Sequence, residues 1–137
     1  MSTAQLLLAA LLVGAGGGLG SAARWGLREL GLHLAARGEA EREELRVRAT
    51  MTFLANILAC FVLGLVVARL GSAAGTGEYV YLLLAAGFCG GLSTMSSAAS
   101  DVVELTRRGT FTLALAYLML SIGAGMAMLW LGLVIAS

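Results

Sequence analysis

Long apolar runs alternate with short polar breaks along this chain, and four of the runs reach membrane-spanning length. Crossing about 30 Å of hydrocarbon takes about 20 helical residues at about 1.5 Å each. Residues 5–25, 50–67, 79–103 and 110–136 fit that length and predict four transmembrane helices. The expected fold is an all-α integral membrane protein, with residues 1–137 as a single membrane domain. Between the first two spans lies LRELGLHLAARGEAEREELRVR, which reads as a solvated loop or surface helix. The other links, GSAAGTGE and a tight turn at Arg107, Arg108 and Gly109, are short, so neighbouring helices run antiparallel.

Polar residues inside the hydrocarbon are costly and point to function. The third span carries most of them. Its first half is apolar. Gly90 and Gly91 follow near the midplane, then Ser93, Thr94, Ser96, Ser97 and Ser100. Paired glycines predict a failure of helical hydrogen bonding there, and irregular backbone at that depth must be buried in protein or line a cavity. Carbonyls freed in this way can hold a cation, and freed N–H groups and hydroxyls can hold an anion. Tight helix packing through small residues explains the same pattern equally well. Thr52 and Asn56 in the second span, and Tyr117 and Ser121 in the fourth, each share a helix face at i,i+4 spacing. Asp101 stands one turn beyond Ser97. Together these residues predict one polar track built from the second, third and fourth helices. Gly16 and Gly20 of the first span form a small-xxx-small packing face.

Composition agrees with the bilayer as solvent. Of the 137 residues, 59% are hydrophobic and 12% charged, with a mean hydropathy of +0.90. Soluble domains carry about 25% charged residues. A net charge of +1 leaves no basic face for nucleic acid. Cys60 and Cys89 lie in apolar runs without metal-ligand spacing. His33 stands alone in the polar stretch and reads as a solvated surface residue. No nucleophile–base pair is legible, which argues against an enzyme. The N-terminal run lacks a positive flank and reads as a retained helix.

All nine basic residues are arginine. Arg28, Arg37, Arg42, Arg46 and Arg48 lie in the first connection and Arg107 and Arg108 in the third, against Arg69 alone in the second. The positive-inside rule places the first and third connections in the cytoplasm and both termini outside. Five acids in the first connection offset its net charge, but acids weigh little in that rule.

Four segments in order resemble the small fluoride channels of the Fluc or CrcB family. Gly16-Gly17-Gly18-Leu19-Gly20-Ser21-Ala22-Ala23-Arg24 is similar to that family's G-G-x-x-G-A-x-x-R opening. Thr52 and Asn56, followed by Gly64, resemble its second-helix T-x-x-x-N pattern. Gly87 to Ala98, GFCGGLSTMSSA, is similar to its G-x-x-G-G-x-T-T-F-S-T-F break. Tyr117 and Ser121 match a fourth-helix tyrosine and serine. The resemblance covers nearly the whole chain. It implies a fluoride-specific channel subunit in the cell membrane, working as an antiparallel dimer with two pores and exporting fluoride passively. It implies a pore lined by Asn56, Thr94, Met95, Ser97, Ala98, Tyr117 and Ser121. It implies a structural sodium ion at the dimer centre on the backbone carbonyls of Gly90 and Ser93, and structural roles for Arg24 and Gly91.

The departures are specific. Met95 and Ala98 stand where the family has two phenylalanines, whose positive ring edges favour an anion. Ser93 replaces a threonine, Asp101 a glutamate, and the first polar connection is long for the family. An antiparallel homodimer needs a chain that inserts both ways, whereas this arginine bias fixes one orientation. The expected partner is therefore a paralogous, oppositely oriented subunit, with a second copy of this chain as the alternative. Two other readings compete. A small four-helix multidrug or cation exporter needs a membrane carboxylate, and here the candidates, Asp101 and Glu104, lie toward a helix end. A non-conducting assembly subunit fits the loss of both rings.

Overall fold

The structure, a computed structural model, describes residues 2–35 and 40–137. Among the described residues every element is helical: α1 (Thr3–Ala35), α2 (Ala40–Leu70), α3 (Thr76–Tyr81), a π-helical run at Leu82–Cys89, α4 (Gly90–Leu92), α5 (Met95–Arg107) and α6 (Phe111–Ala136). Four segments are long and apolar enough to cross a membrane: Thr3–Leu34, Glu44–Leu70, Thr76–Arg107 and Phe111–Ala136. Their number and order are those expected from the hydropathy pattern.

The boundaries shift most between the first two spans. Helix α1 runs to Ala35 and α2 begins at Ala40, so the polar connection is mostly a continuation of both helices. Its Glu, Arg, Leu and Ala are good helix formers and no proline interrupts them. Helices of 33 and 31 residues are about 50 and 46 Å long and overrun the hydrocarbon. His33 is exposed there, 3.4 Å from the Glu29 carboxylate one turn back. Arg37 and Glu39, and the side chains of Glu41, Arg42 and Glu43, lie outside the described residues.

Small residues set the packing. A Cβ at Gly16 would collide with the Leu83 carbonyl, one at Gly20 with the Phe88 carbonyl, and one at Gly91 with the Gly17 carbonyl. Helix α1 therefore lies backbone to backbone against the π-helical run and α4. Gly64 and Gly132 do the same where α2 crosses α6. Without water to expel, close van der Waals contact is what holds such helices together. Ala55, Ala59 and Leu92 form a buried centre, flanked by Leu27 and Phe88. Large side chains such as Leu11, Trp130 and Ile135 are exposed, as lipid-facing residues should be.

The third span is interrupted, but not at the glycine pair. Gly90 and Gly91 are helical. The chain turns extended at Ser93 (φ −74°, ψ 153°) and Thr94 (φ −151°, ψ 116°), then re-enters a helix at Met95. Gly91 is small because Gly17 lies against it. A second irregularity precedes the break: eight residues from Leu82 to Cys89 follow π-helical i→i+5 bonding.

Candidate functional site: a clasped helix break and a basic cavity

The break leaves backbone groups of Ser93 and Thr94 without helical partners, deep in an apolar molecule. Asn56, from the middle of α2, supplies a substitute. Its Oδ1 accepts from the Thr94 N–H at 2.7 Å, and its Nδ2 donates to the Thr94 carbonyl at 3.3 Å. One side-chain amide thus clasps both backbone groups of one residue. Leaving either group unpaired would cost about 1–3 kcal/mol.

Thr94 then caps α5. Its Oγ1 accepts from the Ser97 N–H at 3.2 Å and lies 3.2 Å from the hydroxyls of both Ser96 and Ser97. Two N–H groups are diverted by these bonds. A continuous helix would send the Thr94 N–H to the Gly90 carbonyl and the Ser97 N–H to the Ser93 carbonyl. Both carbonyls named by the resemblance have therefore lost that donor. The Ser93 carbonyl accepts a long bond from Arg24 Nη1 at 3.4 Å, and the Gly91 carbonyl one from the Ser21 hydroxyl at 3.5 Å. The α1 residues Ser21 and Arg24 thus brace the break.

Below the clasp a cavity of about 340 Å3 opens between α1, α2 and α5. Its wall includes Ser21, Arg24, Trp25, Arg28, Arg48, Met51 and Thr52, facing Ser96, Ser97, Ser100 and Asp101. Ser97 belongs to both the clasp and the cavity. Three guanidinium groups face one carboxylate, so the space carries an excess of positive charge. The Asp101 side chain is 2% exposed, with Oδ1 3.9 Å from Arg48 Nη2. Tyr117 lies beside Asp101, and neither its hydroxyl nor Asp101 Oδ2 has a hydrogen-bond partner among the described residues. Phe53 packs against the Tyr117 ring at 6.4 Å between centroids, tilted by 50°.

The structure thus brings Asn56, Thr94 and Ser97 into one hydrogen-bonded chain. It places Tyr117 next to Asp101. The Ser121 hydroxyl donates to the Tyr117 carbonyl of its own helix at 2.7 Å. Met95 is 79% exposed and does not line the cavity, while Ala98 is half-buried. The basic wall was not legible as a site. Arg28 and Arg48 read as charges of a solvated connection, and only the continuation of α1 and α2 carries them to Asp101.

A family profile described as CrcB-like protein, Camphor Resistance (CrcB), matches residues 11–133. The chain belongs to the CrcB family. Individual relatives agree over most of their length. A Rhodococcus jostii protein named fluoride-specific ion channel FluC 2 is 36% identical over 89% of this chain and 93% of its own. A Prosthecochloris aestuarii FluC is 36% identical over 93% of this chain and 92% of its own. Fluoride-specific ion channel FluC 1 of Yersinia pseudotuberculosis is 33% identical, again over 93% and 92%. This CrcB-family chain is a multi-pass membrane protein with a bent third span.

Proposed function

We propose that this chain is a subunit of a fluoride-specific ion channel that lets fluoride leave the cytoplasm. The observation that carries the reading is the Asn56 clasp at the Ser93–Thr94 break, with a basic, hydroxyl-lined cavity directly beneath it. A small, strongly hydrated anion needs hydrogen-bond donors to replace its water. Hydroxyls and guanidinium groups of the cavity wall provide them beside the break. The names and full-length coverage of the relatives support the same reading. The fluoride path would use Asn56, Thr94, Ser97, Tyr117 and Ser121, with Met95 and Ala98 at the positions nearest a partner. The test is fluoride efflux from proteoliposomes holding this subunit, alone and with a paralogue from the same cell. Release of fluoride but not chloride is expected. A protein that folds, inserts and releases no fluoride in either setting ends this reading.

The proposed location is the cell membrane, with the α1–α2 connection in the cytoplasm and both termini outside, the orientation that the arginine distribution supports. The proposed partner is an antiparallel homologous subunit. The broken strand of backbone supports this, because exposed Met95 beside Ser93 offers an uncovered surface at the break. A structural sodium ion at the Gly90 and Ser93 carbonyls would belong to the same arrangement, sharing the Ser93 oxygen with the long bond from Arg24. Both carbonyls have lost their helical donors, yet two oxygens make a poor shell for a hard cation. A second subunit would double them. Replacing sodium with a bulky organic cation during purification is expected to dissociate the dimer. A dimer equally stable without sodium would remove the ion from the proposal.

A further inference from the structure

Asp101 is a buried carboxylate at the wall of the proposed anion path, where an uncompensated negative charge would repel fluoride. Its surroundings are specific. From α2, Arg48 Nη2 lies 3.9 Å from Oδ1, and Thr52 is adjacent. From α1 comes the charge of Arg28, and from α6 the Tyr117 hydroxyl. On its own helix, Ser97 and Ser100 share the cavity wall and Glu104 lies one turn on. Arg48 alone among these reaches ion-pair distance. Its side chain is 39% exposed, so it joins the cavity to the water while its head reaches inward.

We propose that Arg48 is a conduction-determining residue, which neutralises Asp101 and so keeps the cavity wall positive along the approach to the Asn56–Thr94 clasp. The inference rests on the reading that this chain passes fluoride. Arg48 need not touch the ion. It acts through the carboxylate, holding it against α2 and cancelling its field where protein-like dielectric makes one charge count heavily. Arg24 and Arg28 then remain as net positive charge in the cavity, able to concentrate an anion at its mouth.

The test is fluoride current across planar bilayers, which neutral hydrogen fluoride does not carry, measured for the assembly that conducts. Arg48→Gln should lower the current by about tenfold or more. Asp101→Asn should raise the current above the parent's, and the double variant should recover most of what Arg48→Gln lost. A conducting parent with an unchanged Arg48→Gln current overturns the inference alone. So does a double variant as weak as Arg48→Gln. If Arg48→Gln fails to fold, Asp101→Asn decides by itself, because a current abolished there shows that the carboxylate is required rather than compensated. A parent that carries no fluoride current in any assembly overturns this inference together with the fluoride reading.

Discussion

Asn56 shows how one side chain can make a broken helix tolerable in hydrocarbon. Its amide has a donor and an acceptor at fixed spacing, the same pair of groups that a neighbouring strand would offer Thr94. From the sequence, Asn56 was legible as a polar residue sharing a face with Thr52, and a buried amide had to find partners. That the partners are backbone groups of Thr94 was not legible, because it depends on where the break falls. Asn56→Leu, close in size, removes both bonds and leaves the N–H and carbonyl of Thr94 unpaired. The expected cost is about 1–3 kcal/mol for each group. Fluoride efflux should fall further than the yield of monodisperse protein, measured on the same preparations. Equal losses would assign Asn56 to packing alone. Asn56→Asp keeps an acceptor for the Thr94 N–H but sets a carboxylate oxygen against the Thr94 carbonyl and adds a charge in the anion path, so it should restore neither folded yield nor flux.

At the scale of the element, the third span carries two different kinds of irregularity, and only one was marked in the residues. Its hydroxyl-rich second half and glycine pair announced an interruption. The glycines, however, answer to α1: Gly91 has the Gly17 carbonyl in the place of a side chain, and the helix continues through both. The interruption comes at Ser93 and Thr94, where Asn56 offers replacement bonds. The π-helical run at Leu82–Cys89 is apolar throughout and left no trace in the pattern of polarity. The first two helices illustrate another limit. Hydropathy ends a span where the apolar residues end, but a helix of Glu, Arg, Leu and Ala continues into water without difficulty. The glycine pair gives a direct contrast. A Cβ at Gly91 meets backbone, while one at Gly90 meets nothing within 4 Å. Gly91→Ala should lower thermal stability by an overpacking cost of about 1–3 kcal/mol. Gly90→Ala should leave the melting of the isolated subunit close to the parent's. Thermal unfolding in detergent, followed by tryptophan emission or aggregation onset, separates the two, and a similar loss for both would place the Gly90 backbone under a constraint from a second surface.

At the scale of the whole molecule, the proposal is that this chain is one half of a pair. Two independent features converge on that view. Arginines crowd one end of the bundle: Arg24, Arg28 and Arg48 around the cavity, with Arg107 and Arg108 at the α5–α6 turn. At the other end Arg69 is tied to the end of α6, its Nε donating to the Ala136 carbonyl at 2.6 Å. A cation at a helix C-terminus is partly neutralised by the helix dipole, which leaves the bias for one orientation undiminished. The second feature is the composition of the break, where Met95 is exposed and Ala98 half-buried at positions that the resemblance assigns to anion-facing rings. If one pore wall needs those rings, an oppositely oriented homologue supplies them. Expressed alone, the chain is expected to purify as monomer or aggregate with little fluoride efflux, and co-expression with a paralogue should give a stable, conducting pair. Crosslinking of cysteines placed near the two membrane faces would report relative orientation within that pair. Met95→Phe and Ala98→Phe then locate the rings: if the partner's rings complete one pore only, these substitutions should raise current through the other, seen as a larger unitary conductance. A lone chain that assembles as an antiparallel homodimer, with fluoride efflux unchanged by adding the paralogue, would show that the acids of the first connection cancel the arginine bias, and that sulfur and hydroxyl groups suffice for the anion.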